Sequence, residues 1–352
     1  MGNETNQNHA IHYPPVYSDA ALIKISAWLD QPLSRIRDHR ATELIRTIVA
    51  LREIKGPEEV SEIEQALSVT AGMHHAAMAA TRPGVAEHDV MGHVMHVASG
   101  ADRAMAYQPI FTARGEILHN LSYSATLRTG DLVVHDSGAV SPLGYASDIT
   151  RTLPVSGRFT PVQRRLYDAV LKAQTSAIDG AKPDMPFRDL HIAAAGILVE
   201  ELADLGLFKG DPADVVASGA YAICFPCGLG HQLGLDVHDM EALGEDDVGY
   251  DDEVRRLALF GLKSLRLGKR LRPGMVMTIE PGLYFVPQLI DLWRSEGRHA
   301  AYIDYDRVDA FRCFGGIRIE DDVLITETGC RILGPAIPRS ADAVEAAMGQ
   351  GA

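Results

Sequence analysis

The chain has 352 residues, 46% hydrophobic and 23% charged, a balance that lets it bury a large core without disulfides or structural metals. Against 47 acidic side chains stand 33 basic ones; the formal charge of −14 excludes nucleic acid as an expected partner, because polyanion binding needs clustered Lys and Arg. Mean hydropathy is −0.02, and no stretch approaches the roughly 20 apolar residues of a bilayer-spanning helix, so no membrane partner is expected.

The opening, MGNETNQNHAIHYPPVY, lacks the basic-then-apolar order of a secretory signal, and Thr5 falls one position early for a myristoylation motif. It reads as a disordered polar leader. Residues up to about 42 read as irregular, apart from an apolar-periodic stretch from Ala20 to Trp28. Helical patterning begins at Glu43. Gly56-Pro57-Glu58-Glu59 opens a helix with proline and acids in its first turn, and Val60, Ile63, Leu67 and Ala71 recur on its core face. Another helix is expected over Glu87 to Ala98. Strands are expected at Ala106–Thr112, at Leu132-Val133-Val134 ahead of Asp136, and at Tyr145–Pro154, the last two joined as a hairpin by Ser141-Pro142-Leu143-Gly144. Thr160-Pro161-Val162-Gln163 is a capping box for a helix to about Ile178, and a further helix spans Phe187 to Leu205. The remainder reads as short strands and long loops with a charged insertion, Glu241 to Arg272. Helices beside antiparallel strands make the fold class α+β. Four cysteines (Cys224, Cys227, Cys313, Cys330) are too few for a disulfide framework and fit a reducing cytoplasm.

Five residues carry the candidate chemistry: Asp136 in VVHDSG, Asp148 in YASDITRT, His231 in GLGHQLGLDVHD, Glu280 in TIEPGLYF and Glu320 in GGIRIEDD. Each lies in or beside a strand-like run, where packing can hold a side chain in place. Gathered in one cleft, four carboxylates and an imidazole carry too much negative charge to stay together without cations. Two divalent metals would resolve the repulsion, and oxygen-rich donors favour hard ions such as Mn²⁺. Taken singly, each acid reads equally as a turn residue or a solvated charge, and position alone does not bring the five together.

These segments resemble the pita-bread metallopeptidases, the family of prolidase, aminopeptidase P and methionine aminopeptidase, over about Leu51 to Met348. The resemblance implies a creatinase/aminopeptidase-like catalytic domain, a curved antiparallel sheet flanked by helices, occupying residues 46–352. It leaves residues 1–45 as a short segment where the family usually has an N-terminal domain that contributes to dimerisation, so a homodimer stays open. It implies that Asp148 and Glu320 bridge two metals, that Asp136 chelates one, and that His231 and Glu280 hold the other, with Mn²⁺ first and Co²⁺ or Zn²⁺ as alternatives. The Asp136–Asp148 spacing is one residue longer than in this branch, an insertion the SPLG turn can absorb.

The segments GLKSLRLGKRLRPGMVMTIEPGLYF and VDAFRCFGGIRIEDDVLITETG resemble the prolidase (Xaa-Pro dipeptidase) branch, with aminopeptidase P next. By that resemblance a metal-bridging hydroxide hydrolyses the Xaa-Pro bond, Glu280 moves the proton, and His238 stabilises the oxyanion. Arg266 holds the free carboxylate of a dipeptide, His119 holds the proline side, and Tyr107 and Arg318 belong to the pocket wall. Taken alone, Arg266 reads as part of a solvated basic loop, Tyr107 as a core aromatic and Arg318 as a partner for acids. Cys227 stands where the family has a histidine lining the substrate pocket, and Cys224-x-x-Cys227 suggests two pocket thiols, Cys227 being oxidisable. An aminopeptidase P-like action on longer Xaa-Pro peptides and a non-catalytic pita-bread binding module are the competing readings.

Overall fold

The structure, a computed structural model, describes residues 11–349; the first ten residues of the polar leader, with the myristoylation motif, lie outside the described residues. The first half of the chain begins with α1 (Asp19–Leu29), α2 (Leu33–Arg37), α3 (Thr42–Arg52), α4 (Pro57–Ala80) and α5 (Glu87–Gly100). The region expected to be irregular up to residue 42 therefore holds two helices; α1 takes up the periodic stretch but buries only Leu22, which is why its apolar pattern is weak. α3 runs across the boundary expected at residues 45/46. Pro57 sits in the first turn of α4, where it has no intrahelical N–H to lose, and the Gly56 N–H donates to Glu59 Oε2 at 2.8 Å.

Strands β1 (Ile110–Thr112), β2 (Leu132–Ser137) and β3 (Ile149–Pro154) form an antiparallel sheet in that order, followed by α6 (Pro161–Gly180) and α7 (Phe187–Ala203). The Thr160–Gln163 capping box forms as expected. The helical pairs α4–α5 and α6–α7 repeat one design. Each first helix ends at a basic residue and a proline, Arg82-Pro83 or Lys182-Pro183, followed by a positive φ at Gly84 (86°) or Asp184 (67°) that turns the chain into the next helix.

Beyond residue 205 lie α8 (Pro212–Ser218), α9 (Glu245–Gly249), β4 (Val276–Ile279), β5 (Gly282–Tyr284), α10 (Pro287–Ser295), α11 (Tyr305–Asp309), β6 (Gly316–Arg318), β7 (Asp321–Ile325), β8 (Cys330–Ile332) and α12 (Ala341–Gly349). Short helices join the strands and loops that were expected to make up most of this region: α8 and α10 open on proline as α4 does, and α10 buries Ile290 and Trp293 at helical spacing. The sheet consists of three small antiparallel pieces, β1-β2-β3, β4-β7-β8 and β5-β6, laced together by single bridges such as Thr150↔Glu320. One apolar core runs through α4–α7 and all three pieces. A separate satellite cluster joins Ile45 and Val49 of α3 to Met240, Leu243 and Val248, so the N-terminal helix packs under the chain that follows His238.

Candidate metal centre and active site

Strand register brings the acids together. Asp136 pairs with Thr150 across β2 and β3, and Thr150 bridges Glu320, so Asp136, Thr150 and Glu320 lie side by side on three neighbouring strands. Asp148 is two residues from Thr150 along the same chain and so faces the same way. The β4–β7 ladder pairs Ile279 with Asp321, which leaves Glu280 and Glu320 adjacent at its end. His231 is fixed to that ladder from outside: its carbonyl accepts from the Thr278 N–H at 2.9 Å, and its own N–H donates to Thr278 Oγ1 at 3.1 Å. This contact requires Gly230, since a Cβ there would stand 2.1 Å from the Thr278 carbonyl oxygen.

All five side chains line one cavity of about 260 Å³, together with His119, Cys227, His238, Arg266, Tyr284 and Arg318. Ligand atoms of Asp148, His231 and Glu320 lie within 4.8 Å of one another. His231 Nε2 is 3.4 Å from Asp148 Oδ2 and 3.5 Å from Glu280 Oε1, while Nδ1 is 3.0 Å from the Gln232 carbonyl oxygen, leaving Nε2 toward the acids. Thr150 Oγ1 donates to Glu320 Oε2 at 2.6 Å. Beneath it, fully buried Arg151 donates to the Glu320 carbonyl at 2.6 Å and pairs with Asp321 at 2.7 Å, which holds the strand carrying the acid.

The electrostatics indicate a site built for cations. Burial and the neighbouring Asp136 push Asp148 up to about 6. Burial, then Asp148 and Glu280, raise Glu320 well above the ordinary carboxylate range. Burial opposes the charge on His231, but its hydrogen bond to Asp148 and the charge of Glu280 prevail and carry it to about 9. Acids that must take up protons to coexist gain most from cations between them. The donor set, four carboxylates and one imidazole, fits oxygen-preferring divalent metals.

Tyr107 and Arg318 are more deeply involved than wall positions. The Tyr107 hydroxyl, with one proton to give, reaches both Asp136 Oδ1 and Asp148 Oδ1. Arg318 is buried and pairs with Asp136 while donating to Thr150 Oγ1 and to the Tyr284 hydroxyl, each at 3.0 Å. Both orient the acids; the pairing of Arg318 with an acid was legible in the sequence, but which acid it meets, and the role of Tyr107, were not.

The opposite wall comes from loops. His119 is exposed at the mouth, and Arg266 is half-buried with Nη1 3.0 Å from His238 Nδ1 and paired with Glu241. The charged insertion is therefore anchored rather than solvated: Leu262, Leu265, Leu267 and Leu271 are buried, and Lys269 and Arg272 pair with buried Glu53. Burial first, then His231 and Arg266, holds His238 down to about 2, so the ring is neutral. Behind it, buried Asp239 accepts from Lys55 at 2.9 Å and pairs with Arg52, a network that sequence reasoning missed because its members lie 184 and 187 residues apart. Cys227 is partly buried on the cavity lining, and desolvation lifts its thiol to about 12, which disfavours the thiolate near neutrality.

Comparison with known proteins agrees with this geometry. The pattern of Metallopeptidase family M24 matches residues 61–327. An Xaa-Pro dipeptidase from Homo sapiens is 34% identical over 310 residues, covering 86% of this chain and 61% of the relative. An Xaa-Pro aminopeptidase from Escherichia coli is 35% identical over 302 residues, covering 85% and 60%. The solved structure of zinc-substituted E. coli aminopeptidase P in complex with product superposes with a TM-score of 0.72 at 33% identity, covering 87% of this chain and 62% of that one. The chain thus spans about three fifths of the length of the curated relatives it matches.

Proposed function

The chain belongs to metallopeptidase family M24, and from that premise we propose that it hydrolyses the Xaa-Pro bond of dipeptides using two divalent cations held by Asp136, Asp148, His231, Glu280 and Glu320. The observation that carries the reading is the convergence of those five side chains on one cavity, with Asp148 and Glu320 protonating too readily for acids that no cation would neutralise. When bound, the cations, Mn²⁺ first among them and Co²⁺ or Zn²⁺ as alternatives, supply positive charge to the carbonyl and make the attacking water acidic.

The chain's own groups do the rest. Glu280 accepts the proton that the water gives up and returns it to the proline nitrogen, which as a tertiary amide has no proton of its own and cannot otherwise leave. Neutral His238 donates to the oxyanion that develops on the carbonyl. Arg266 takes the free carboxylate, for which a guanidinium fork is the matching shape, and His119 closes on the proline side. Cys227 offers that pocket a neutral thiol in place of a basic ring. Tyr107 and Arg318 hold Asp136 and Asp148 apart and in register.

The proposal places the chain in the cytoplasm, supported by four free cysteines, and leaves the choice between monomer and homodimer to sedimentation. We assign the catalytic domain to residues 46–352 and the N-terminal segment to residues 1–45, with α3 joining the two across the boundary. The deciding assay is an Mn²⁺-supplemented panel of Xaa-Pro dipeptides and Xaa-Pro tripeptides on the metal-analysed protein. Release of proline from Gly-Pro, faster than cleavage of a matched tripeptide, is the expected result. Faster tripeptide cleavage favours the aminopeptidase P reading, which the E. coli relative and structure support. No bound or activating metal and no cleavage would leave a binding module.

A further inference from the structure

Behind the loop wall of the cavity stands an acid that no step above uses. Arg266 Nη1 lies 3.0 Å from His238 Nδ1 and also donates to Glu241 Oε2. A guanidinium carries only N–H groups and accepts nothing, so at 3.0 Å it calls for a bare lone pair on Nδ1 and a ring proton on Nε2; Glu241 Oε2, the other polar atom facing Nδ1, stands farther off at 3.5 Å. His238 and Arg266 line the cavity, whereas Glu241 is absent from its lining and only 16% of its side chain is exposed. The acid therefore backs the pair instead of facing the ligand. Arg266 Nε and Nη2 make no hydrogen bond among the described residues, and they are what the guanidinium has left to offer the cavity.

Both partners are held independently. Glu241 follows Met240, whose side chain packs with Ile45 and Val49 of α3, and Asp239 just before it is tied to Arg52 and Lys55. On the other side, the carbonyl of Leu265, adjacent to Arg266, accepts from the Tyr250 hydroxyl at 2.7 Å and from Arg256 Nη1 at 2.9 Å. Two anchored segments meeting through one carboxylate make a rigid joint.

We propose that Glu241 is a positioning residue: it clamps one edge of Arg266, so that this guanidinium fixes His238 as the Nε2–H tautomer and turns its free edge to the carboxylate of an Xaa-Pro dipeptide. This deepens the dipeptidase reading and rests on it for the substrate. The group that recognises the chain end and the group that meets the oxyanion are then one mechanical unit, and loosening Glu241 costs turnover as well as affinity.

The test combines spectra with kinetics on the full-length chain. Long-range ¹⁵N–¹H correlation spectra of histidine-labelled protein, with Zn²⁺ added as a diamagnetic cation and His238→Gln used for assignment, report which ring nitrogen carries the proton. The wild type is expected to show His238 protonated at Nε2 alone. Glu241→Ala is expected to give a mixed tautomer, a kcat on Gly-Pro lower by roughly tenfold to a hundredfold and a raised KM. Glu241→Gln, whose amide oxygen can still accept from Arg266, is expected to restore the single tautomer and most of the kcat. Wild-type His238 protonated at Nδ1 overturns the proposal without any variant, so a misfolded Ala protein does not shelter it. An Ala variant with unchanged tautomer and kcat also overturns it, and so does a fall in KM, which would make Glu241 a competitor of the substrate carboxylate. A wild type inactive on every Xaa-Pro peptide sinks the dipeptidase reading alone, because the spectra still decide the joint.

Discussion

The two walls of the cavity are built by different means. Asp136, Asp148, Glu320 and Arg318 stand on or beside strands, all nine-tenths buried or more, and their spacing is set by backbone pairing that no side chain can alter. His119, Cys227, His238 and Arg266 stand on loops, more exposed, and two of them depend on bonds to each other and to acids behind them. A ladder can force like charges together and keep them poised for cations; a loop wall must itself be braced by charge pairs. The strand wall suits the holding of cations, and the loop wall, which carries both His238 and Arg266, suits the proposed contacts with the substrate.

The largest effect comes where the walls meet. Glu280→Gln keeps the shape but cannot take the water's proton, and kcat on Gly-Pro should fall by about a thousandfold with metal still bound, as read by steady-state assay and metal analysis. Near-normal turnover in a metal-loaded variant would contradict the assignment. Next is the brace of the loop wall. Lys55→Met leaves Asp239 buried with Arg52 as its remaining partner, and chemical denaturation should show a loss of about 3–5 kcal/mol. A loss below 1 kcal/mol would mean that the loop wall needs no such support.

The strand wall makes its own prediction in the metal-free chain. His231 keeps its proton up to about 9 in the folded state against 6.5 ordinarily. That contribution is complete below pH 6.5 and lost as the pH rises through 9. Asp148, raised from 3.8 to about 6, has the same sign, because the folded chain holds its proton more tightly and forfeits that advantage as the pH rises through 6. Stability of the metal-free protein should therefore fall between pH 6.5 and 9, by on the order of 3 kcal/mol, and His231→Asn should flatten the profile. A flat wild-type profile would show that the acids do not crowd the imidazole. The smallest effect belongs to the loop wall: Arg266→Lys keeps the charge but loses the fork, so KM for Gly-Pro should rise about tenfold while KM for a matched tripeptide changes little, with a modest fall in kcat on both because His238 loses its partner. Equal rises in KM on both substrates would remove Arg266 from carboxylate recognition.

Local chemistry with a short reach was legible in the sequence. Gly56-Pro57 and the Thr160–Gln163 box mark helix starts through residues three apart, and the SPLG turn marks the hairpin that presents Asp136 and Asp148. The five candidate ligands stood out because acids and a histidine interrupted strand-like runs, and their family resemblance gave the grouping that spacing alone left open. What the sequence hid depends on partners far along the chain. Tyr107 reads as a core aromatic until β2 and β3 bring two acids to its hydroxyl, and Arg318 reads as a partner for acids nearby in sequence, whereas the acid it meets is Asp136, 182 positions away. Helix α10 carried a signal in Pro287, Ile290 and Trp293, obscured because the helix is only 9 residues long. The bracing of His238 by α3 had none, since Ile45 and Val49 face a cluster that exists only once the chain is folded.

That small second cluster has a thermal consequence. Five apolar residues and a few ion pairs tether the segment that carries His238, while the bulk of the molecule rests on a far larger apolar mass. On heating, the tether should let go first, so catalysis would fade several degrees before the far-ultraviolet signal of the helices collapses, and cooling should bring it back.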